Sequence, residues 1–263
     1  MEDGPPRMFS IDLFTYFNTM PYRKQKFTND EIYHIVSRGI DDNLIFKDIN
    51  DYYRGVFSIY EFNTINPITI QRRREARARF KKARGGPSST TDSIVEDIRD
   101  RMVDIIAFCF MPNHIHLLLK QLKDNGITKF MSKVGTGYAG YFNRKYKRKG
   151  YVFQNRFKDV HIEDDSQLLA VFNYIHANPI SLIEPNFKEQ GIKNYSTEEI
   201  VKFLENYKWS SYKDYIGEQN FPSVTERDFL LEAIGGAKGC KEVIKNWVIN
   251  KEIKKANELF LEL

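Results

Sequence analysis

The stretch DIIAFCFMPNHIHLLLK, residues 104–120, decides the fold of this chain of 263 residues. Two apolar runs rich in branched and aromatic side chains, 104–111 and 114–120, flank Pro112 and Asn113. Proline and asparagine are typical turn residues, and runs of this length and composition are typical of buried strands. The stretch therefore predicts two neighbouring strands joined by a tight turn.

The segments on either side alternate between strand and helix patterns. Further strands are predicted at 31–38 and 157–162, and helices at 48–62, 126–146 and 166–177. Asp164 and Asp165 are suited to cap the last of these helices, and Pro179 must end it. The order β-α-β-β-α-β plus one helix predicts an α+β fold. It is the ferredoxin-like split βαβ arrangement, an antiparallel sheet with helices on one face.

Length and composition restrict the class of protein. The length fits one domain plus an extension, or two small domains, and 41% apolar residues exclude a wholly disordered chain. No apolar run approaches the ~18 residues of a membrane span, and the first ten residues lack the apolar stretch of a signal peptide. Cys109 and Cys240 are too few for a disulfide framework or a four-cysteine zinc site. We therefore expect a soluble cytoplasmic protein without a membrane partner.

Positive charge is concentrated in two segments. Residues 71–84, QRRREARARFKKAR, contain six Arg and two Lys against one Glu, and GGPSSTTDS follows. A charge block next to Gly, Pro, Ser and Thr is typical of a mobile loop, so we expect an inserted basic loop at about 63–93. This loop either contacts nucleic acid loosely or only keeps the chain soluble.

The second basic segment, 126–158, has nine Lys and Arg and no acidic residue. Within it cations alternate with aromatic residues, a composition that suits single-stranded or irregular nucleic acid, because cations meet phosphates and aromatic rings stack on unpaired bases. A solvated helix face with core aromatics is the alternative. The predicted nucleic-acid-binding residues are Arg144, Lys145, Lys147, Arg148, Lys149, Tyr151, Arg156 and Lys158.

His114 and His116 form the first chemical feature of the predicted sheet. Residues i and i+2 of a strand face the same side, ~7 Å apart, so the two imidazoles can share one metal ion while Ile115 points into the core. Two ligands are too few for a structural zinc site and leave positions open for a substrate oxygen. A hydrogen-bonded pair of histidines without a metal is equally compatible with the spacing.

Tyr174 and Asn178 form the second feature, because residues four apart in a helix are neighbours. A tyrosine can supply a nucleophilic oxygen and an asparagine a hard oxygen ligand for a divalent ion. On spacing alone, a packed Tyr174 and an Asn178 that merely ends the helix before Pro179 are the better reading.

The motifs together resemble a known family. AFCFMPNHIHLLLK is similar to the histidine–hydrophobic–histidine (HUH) strand of the single-tyrosine, insertion-sequence-200-like transposases. YHIVSRG, GYVFQNRFK, LLAVFNYIHANPI and KWSSYKDY resemble the branch called REP-associated tyrosine transposases. The resemblance covers roughly residues 27–217 and is interrupted by the basic segment at about 63–93, which the usual pattern lacks.

The resemblance implies an enzyme that cleaves and rejoins single-stranded DNA folded into hairpins. Carried over by position, it makes His114, His116 and Asn178 the ligands of Mg²⁺ or Mn²⁺ and Tyr174 the nucleophile that forms a 5′-phosphotyrosine link. The other tyrosines near the basic segment, Tyr138, Tyr141, Tyr146 and Tyr151, are expected to stack or pack instead. The resemblance also implies three parts of the chain: an N-terminal arm (1–26), a catalytic domain (27–185) and a helical extension (186–263).

Two other functions remain open at this point. A domesticated transposase would bind single-stranded nucleic acid without cleaving it, and it has no need for Tyr174 and the histidines to converge. A zinc-dependent hydrolase would need a third ligand, for which His34 is the obvious candidate. A homodimer is also possible, because members of the wider family place the tyrosine helix on their own site or on a partner's.

Overall fold

A computed structural model describes residues 27–84, 99–154 and 156–253 of the chain. The predicted N-terminal arm (1–26) and the second part of the predicted insertion (85–93) lie outside the described residues. Within the described ranges no helix is both long and apolar enough to cross a membrane.

Four antiparallel strands form one sheet in the order β2-β3-β1-β4. The strands are β1 (Ile32–Arg38), β2 (Val103–Met111), β3 (His114–Gln121) and β4 (Lys158–Ile162). All four agree with the predicted strands to within one or two residues. The two central strands are β1 and β3, and the turn at Pro112 and Asn113 joins β2 to β3, as the ferredoxin-like order requires.

Nine α-helices accompany the sheet in the described residues. They are α1 (Ile49–Glu61), α2 (Ile70–Arg84), α3 (Gly126–Lys145), α4 (Asp165–Ala177), α5 (Phe187–Gln190), α6 (Thr197–Asn206), α7 (Tyr212–Tyr215), α8 (Asp228–Ala233) and α9 (Gly236–Ile253). N-terminal capping residues explain where two of the predicted helices begin. Asp48 accepts hydrogen bonds from the first amides of α1, and Asp164 accepts one from the amide of Gln167 in α4.

One face of the sheet packs against α1 and α3, the two helices of the split βαβ unit. Alternate strand residues, among them Ile35, Phe108 and Leu117, form a core with buried side chains of both helices. Gly137 in α3 is required here, because a methyl group at that position would overlap the ring of Phe62. The predicted helices on this face are confirmed.

The expectation of a loop through the basic segment is wrong for residues 70–84. They form α2, a helix of 15 residues that packs on the outer side of α1. Ala76 and Phe80 lie four residues apart on one side of the helix and are both buried, with Phe80 against Phe57 and Tyr60. Two apolar positions among eight cations are enough to anchor the helix, although they give little sequence signal.

The opposite face of the sheet packs against α4 and the C-terminal helices. Val171, Phe172 and Ile175 of α4 share one core with Ile106 and Leu118 of the sheet. Buried residues of the C-terminal region join the same core: Phe187, Ile200, Leu204, Tyr212, Tyr215, Leu230, Cys240, Ile244 and Val248. The region predicted as a helical extension therefore covers the helix that carries Tyr174.

The segment 208–211 lies along the outer edge of β2. The amide of Phe110 donates to the carbonyl oxygen of Trp209 at 2.8 Å, and the amide of Ser211 donates to that of Phe108 at 3.0 Å. The hydroxyl of Ser211 also accepts a hydrogen bond from the amide of Phe108 at 3.0 Å. The polar backbone of this edge is thus paired within the chain.

Candidate functional site: a histidine–tyrosine cluster

The sheet places His34, His114 and His116 on the face that packs against α4. In the register of β1 and β3, His114 lies opposite Arg38 and His116 opposite Val36, and side chains directly opposite each other share a face. Ile115 belongs to the core on the other face. The alternation predicted for the histidine pair is therefore confirmed.

Helix α4 brings Tyr174 to these histidines within one chain. The ring of Tyr174 lies 5.5 Å from that of His116 and 6.0 Å from that of His34, edge-to-face in both cases, and the rings of His114 and His116 are 4.8 Å apart. Asn178 directly follows α4, is 2% exposed and lies close enough to His114 that its side chain raises the pKa of that residue. The residues predicted from separate motifs, Tyr174, Asn178 and both histidines, thus converge.

The polar atoms of this cluster are only partly hydrogen-bonded. Nε2 of His34 lies 3.0 Å from Nδ1 of His116, and Nδ1 of His114 lies 2.6 Å from the side-chain oxygen of Asn113. Three buried atoms have no hydrogen-bond partner among the described residues: Nδ1 of His34, Nε2 of His116 and Nδ2 of Asn178. Since most buried polar atoms in proteins are paired, such a group of unpaired atoms is typical of a binding or catalytic site.

Burial keeps the three histidines neutral at pH 7. It is the largest cause that lowers the pKa of His34 to about 3 and that of His114 to about 4, and it holds the pKa of His116 well below its usual range. The positive charge of Lys188 lowers all three further, and Arg38 does the same for His114 and His116. Neutral imidazole is the form that binds a metal ion.

The donor set fits a divalent metal ion. If His116 carries its proton on Nδ1, which donates to His34, its unpaired Nε2 presents a lone pair. His114 and His116 would then hold the ion together with the amide oxygen of Asn178, a hard ligand that makes Mg²⁺ or Mn²⁺ compatible with two imidazoles. In the described part of the chain, no group of three or more His, Cys, Asp or Glu side chains is placed to hold a metal ion.

Two cations of the site were not identified from the sequence. Nζ of Lys188, in α5, donates a hydrogen bond of 2.9 Å to the hydroxyl of Tyr174. Arg38 lies opposite His114 on the neighbouring strand. The alternation of β1 could have indicated Arg38, because residues 34 and 38 face the same side. Lys188 comes 14 residues after Tyr174, and only the folded chain shows their contact.

The predicted nucleic-acid-binding residues of the basic aromatic segment differ in the structure: most are exposed, and some are paired within the chain. Arg144, Lys147, Lys149, Tyr151, Arg156 and Lys158 are exposed. Arg148 donates to the carbonyl oxygen of Tyr151. Lys145 is instead paired with Asp48 and Asp51, each at 2.6 Å. Among the exposed cations, Lys158 lies opposite Val36, whose other neighbour is His116.

The other tyrosines near this segment lie in or beside the core. Tyr138 is buried and donates to the carbonyl oxygen of Ile45, while Tyr141 and Tyr146 donate to Asp51. Tyr151 is 74% exposed. Tyr174 is the tyrosine that contacts the histidines in the described part of the chain.

Comparison with known proteins adds two findings. The family model described as "Transposase IS200 like" matches residues 73–178, which include β2, β3, β4 and α4. Among solved structures the chain is similar to "Structure of the REP associates tyrosine transposase bound to a REP hairpin", with 14% identity and a TM-score of 0.40. That alignment covers 79% of this chain and 94% of the other. No curated protein matches significantly.

The matched residues contain the elements from which the site is built. They include both histidines of β3, the tyrosine of α4 and Asn178, while His34 and Lys188 lie outside the match. Residues 73–178 of this chain are therefore similar to the transposases of the IS200-like family.

Proposed function

We propose that the protein cleaves and rejoins single-stranded DNA through a covalent bond between Tyr174 and a 5′-phosphate. One observation carries the proposal: the ring of Tyr174 contacts that of His116. The buried Nε2 atom of His116 has no hydrogen-bond partner among the described residues. A protein that only binds nucleic acid has no need to bring these side chains together. The match of residues 73–178 to a transposase family supports the same chemistry.

In the proposed reaction the hydroxyl oxygen of Tyr174 attacks phosphorus, and the bond from phosphorus to the 3′ oxygen breaks. Tyr174 loses its proton to solvent, and the departing oxygen takes one up as a 3′-OH. In the reverse step another 3′-OH attacks the phosphotyrosine, which reseals the strand and restores Tyr174. Because the phosphodiester energy is kept in the covalent link, no nucleotide cofactor is needed for resealing.

His114, His116 and Asn178 would hold a divalent ion that polarises the scissile phosphate and offsets its charge in the transition state. The chain itself supplies the position of the nucleophile. Tyr174 is 5% exposed and lies on a helix fixed by core residues on both sides, so its hydroxyl is held in one place beside the histidines. A fixed nucleophile removes much of the entropic cost of the attack.

The expected substrate is a single-stranded hairpin. Lys158 and Arg38 lie on the site's face of the sheet, and further exposed cations and Tyr151 precede Lys158 in the chain. These groups suit a phosphate backbone with unpaired bases. Binding should weaken with salt, by about −0.7 in the log–log slope for each phosphate contact on a single strand.

The test is a covalent-adduct assay on a denaturing gel. Single-stranded oligonucleotides covering both flanks of the gene, labelled at the 3′ end, are incubated with Mg²⁺, Mn²⁺ or EDTA. The expected result is a labelled protein band that requires metal and disappears in Tyr174→Phe. The matched control is Tyr195→Phe, an exposed tyrosine outside the predicted DNA-binding surface that should leave the band unchanged.

Two outcomes would contradict the proposal. An adduct that persists in Tyr174→Phe removes Tyr174 as the nucleophile. Tight hairpin binding by the wild-type protein without any adduct, for every oligonucleotide and metal, favours the binding protein that the sequence left open. Tyr174 contacts the histidines of its own chain. The homodimer stays a prediction.

A further inference from the structure

Lys188 contacts the candidate nucleophile in two ways. Its Nζ donates a hydrogen bond of 2.9 Å to the hydroxyl of Tyr174, and it also lies 4.8 Å from the centre of the tyrosine ring. A tyrosine attacks phosphorus effectively only with its oxygen close to the anionic form, since neutral phenol has an ordinary pKa of about 10. A cation at hydrogen-bond distance favours that form.

The segment that carries Lys188 is anchored on both sides. The neighbouring Phe187 is buried in the core beneath α4 and contacts Trp247 of α9. The buried carboxylate of Glu184 accepts hydrogen bonds from the amide of Asn194 at 3.0 Å and from its side chain at 2.8 Å. The ammonium group therefore extends from a fixed backbone toward Tyr174.

We infer that Lys188 is a further catalytic residue, which stabilises negative charge on the hydroxyl oxygen of Tyr174 in both directions of the reaction. This inference rests on the proposed function. During cleavage Lys188 favours the oxygen anion that attacks phosphorus. During resealing the bond from phosphorus to that oxygen breaks, and the same ammonium group receives the developing phenolate. Lys188 stays protonated throughout, and solvent takes up and returns the tyrosine proton.

The electrostatics of the site agree with a cation in this position. The charge of Lys188 reaches His34, His114 and His116, since it lowers the pKa of each. A fixed positive charge beside the histidines would also attract the scissile phosphate. Preorganised charges of this kind stabilise transition states because they need not reorient during the reaction.

The experiment measures the rate of adduct formation for variants of Lys188. Lys188→Met keeps the length of the side chain but removes the charge, and we expect it to slow the adduct about 100-fold, as loss of one preorganised donor does in other sites. Lys188→Arg keeps the charge and should retain most of the rate. Lys193→Met is the matched control, because Lys193 lies in the same segment and its Nζ contacts Gln190.

Chemical rescue distinguishes a catalytic role of Lys188 from a purely structural one. Lys188→Ala leaves space for a small alkylammonium ion, and added ethylammonium should restore part of the lost rate in proportion to its concentration. Thermal stability should equal that of the wild type in all variants, and hairpin affinity should change far less than the rate of adduct formation.

The inference is overturned if Lys188→Met forms the adduct at the wild-type rate. It is also overturned if Met, Arg and Ala variants are equally slow and ethylammonium rescues none of them, because only a structural role then remains. If the wild-type protein forms no adduct, the proposed function itself is overturned. If the wild-type protein is active and the Lys188 variant is equally active, only the inference about Lys188 fails.

Discussion

The two faces of the sheet each hold a buried polar cluster, and the clusters differ in how completely they are hydrogen-bonded. Beside α1 and α3, the fully buried carboxylate of Asp51 accepts hydrogen bonds from Tyr141, Tyr146, Lys145 and the amide of Lys47. Burial alone would raise the pKa of Asp51, but these donors outweigh it and lower the pKa. This cluster ties α1 to α3.

The cluster beside α4 is incomplete by comparison. Within the part of the chain that the structure describes, His34, His116 and Asn178 each keep one buried polar atom without a partner, although apolar residues lie around them. An unpaired buried polar atom costs about 1–3 kcal/mol, so a chain selected only for stability would not keep three of them together. The complete cluster therefore serves the fold, and the incomplete one is available for a ligand.

The largest effect is expected from breaking the complete cluster. Asp51→Ala removes the acceptor of the Tyr141 hydroxyl and leaves Lys145 and Tyr146 with Asp48 alone, so it should lower the free energy of unfolding by about 3–5 kcal/mol. Urea denaturation measures this change. Asp42→Ala, which removes an exposed partner of Arg38, is the control and should change stability little. Equal stabilities of the two variants would contradict the structural role of Asp51.

Breaking the incomplete cluster should affect activity instead. His116→Ala should slow adduct formation by about 100- to 1,000-fold, because a group that stabilises transition-state charge is lost. Its stability should fall far less than that of Asp51→Ala, since the change breaks the hydrogen bond to His34, whereas Asp51→Ala breaks several. The adduct assay and urea denaturation on the same preparation test both parts. A destabilisation as large as that of Asp51→Ala would mean that the histidine is structural.

The hydrogen bond between His34 and His116 gives a smaller effect. His34→Leu removes the acceptor that orients His116 and should weaken the binding of Mn²⁺ by about 10- to 100-fold, as loss of such outer partners does in metal sites. Titration calorimetry with Mn²⁺ alone measures it. His34→Gln keeps a polar partner and should lie between the two. Unchanged Mn²⁺ affinity in His34→Leu would show that His34 does not orient a ligand.

The smallest effect is a pH dependence of stability. Burial lowers the pKa of both His34 and His176 to about 3, from an ordinary value of 6.5. In the unfolded chain these two histidines bind protons below about pH 6.5, whereas in the folded chain they stay neutral down to about pH 3. The free energy of unfolding should therefore fall as the pH falls through this window. Urea denaturation between pH 7.5 and pH 5 measures the slope. His176→Gln, which can still bond to Ser211, should make it shallower.

The strands and the helices next to them could be predicted from the sequence, because their hydrophobic periodicity is local. Helix α2 could not, since only Ala76 and Phe80 mark its buried side. Helix α6 was missed, although Ser196 and Glu199 form a capping box that a search for that motif would have found. The chemistry of His114, His116, Tyr174 and Asn178 was indicated by motifs. The roles of His34 and Lys188 depend on contacts between distant segments, which no local pattern contains.

The pairing of residues 208–211 with β2 has a consequence for shortened forms of the chain. Trp209 and Ser211 occupy the backbone groups of Phe108 and Phe110, which lie in a strand of almost wholly apolar residues. A chain that ends before residue 208 would expose this edge as a template on which strands of other molecules can add. Such a fragment still contains the histidines and Tyr174, yet we expect it to aggregate. The C-terminal region thus protects the solubility of the domain.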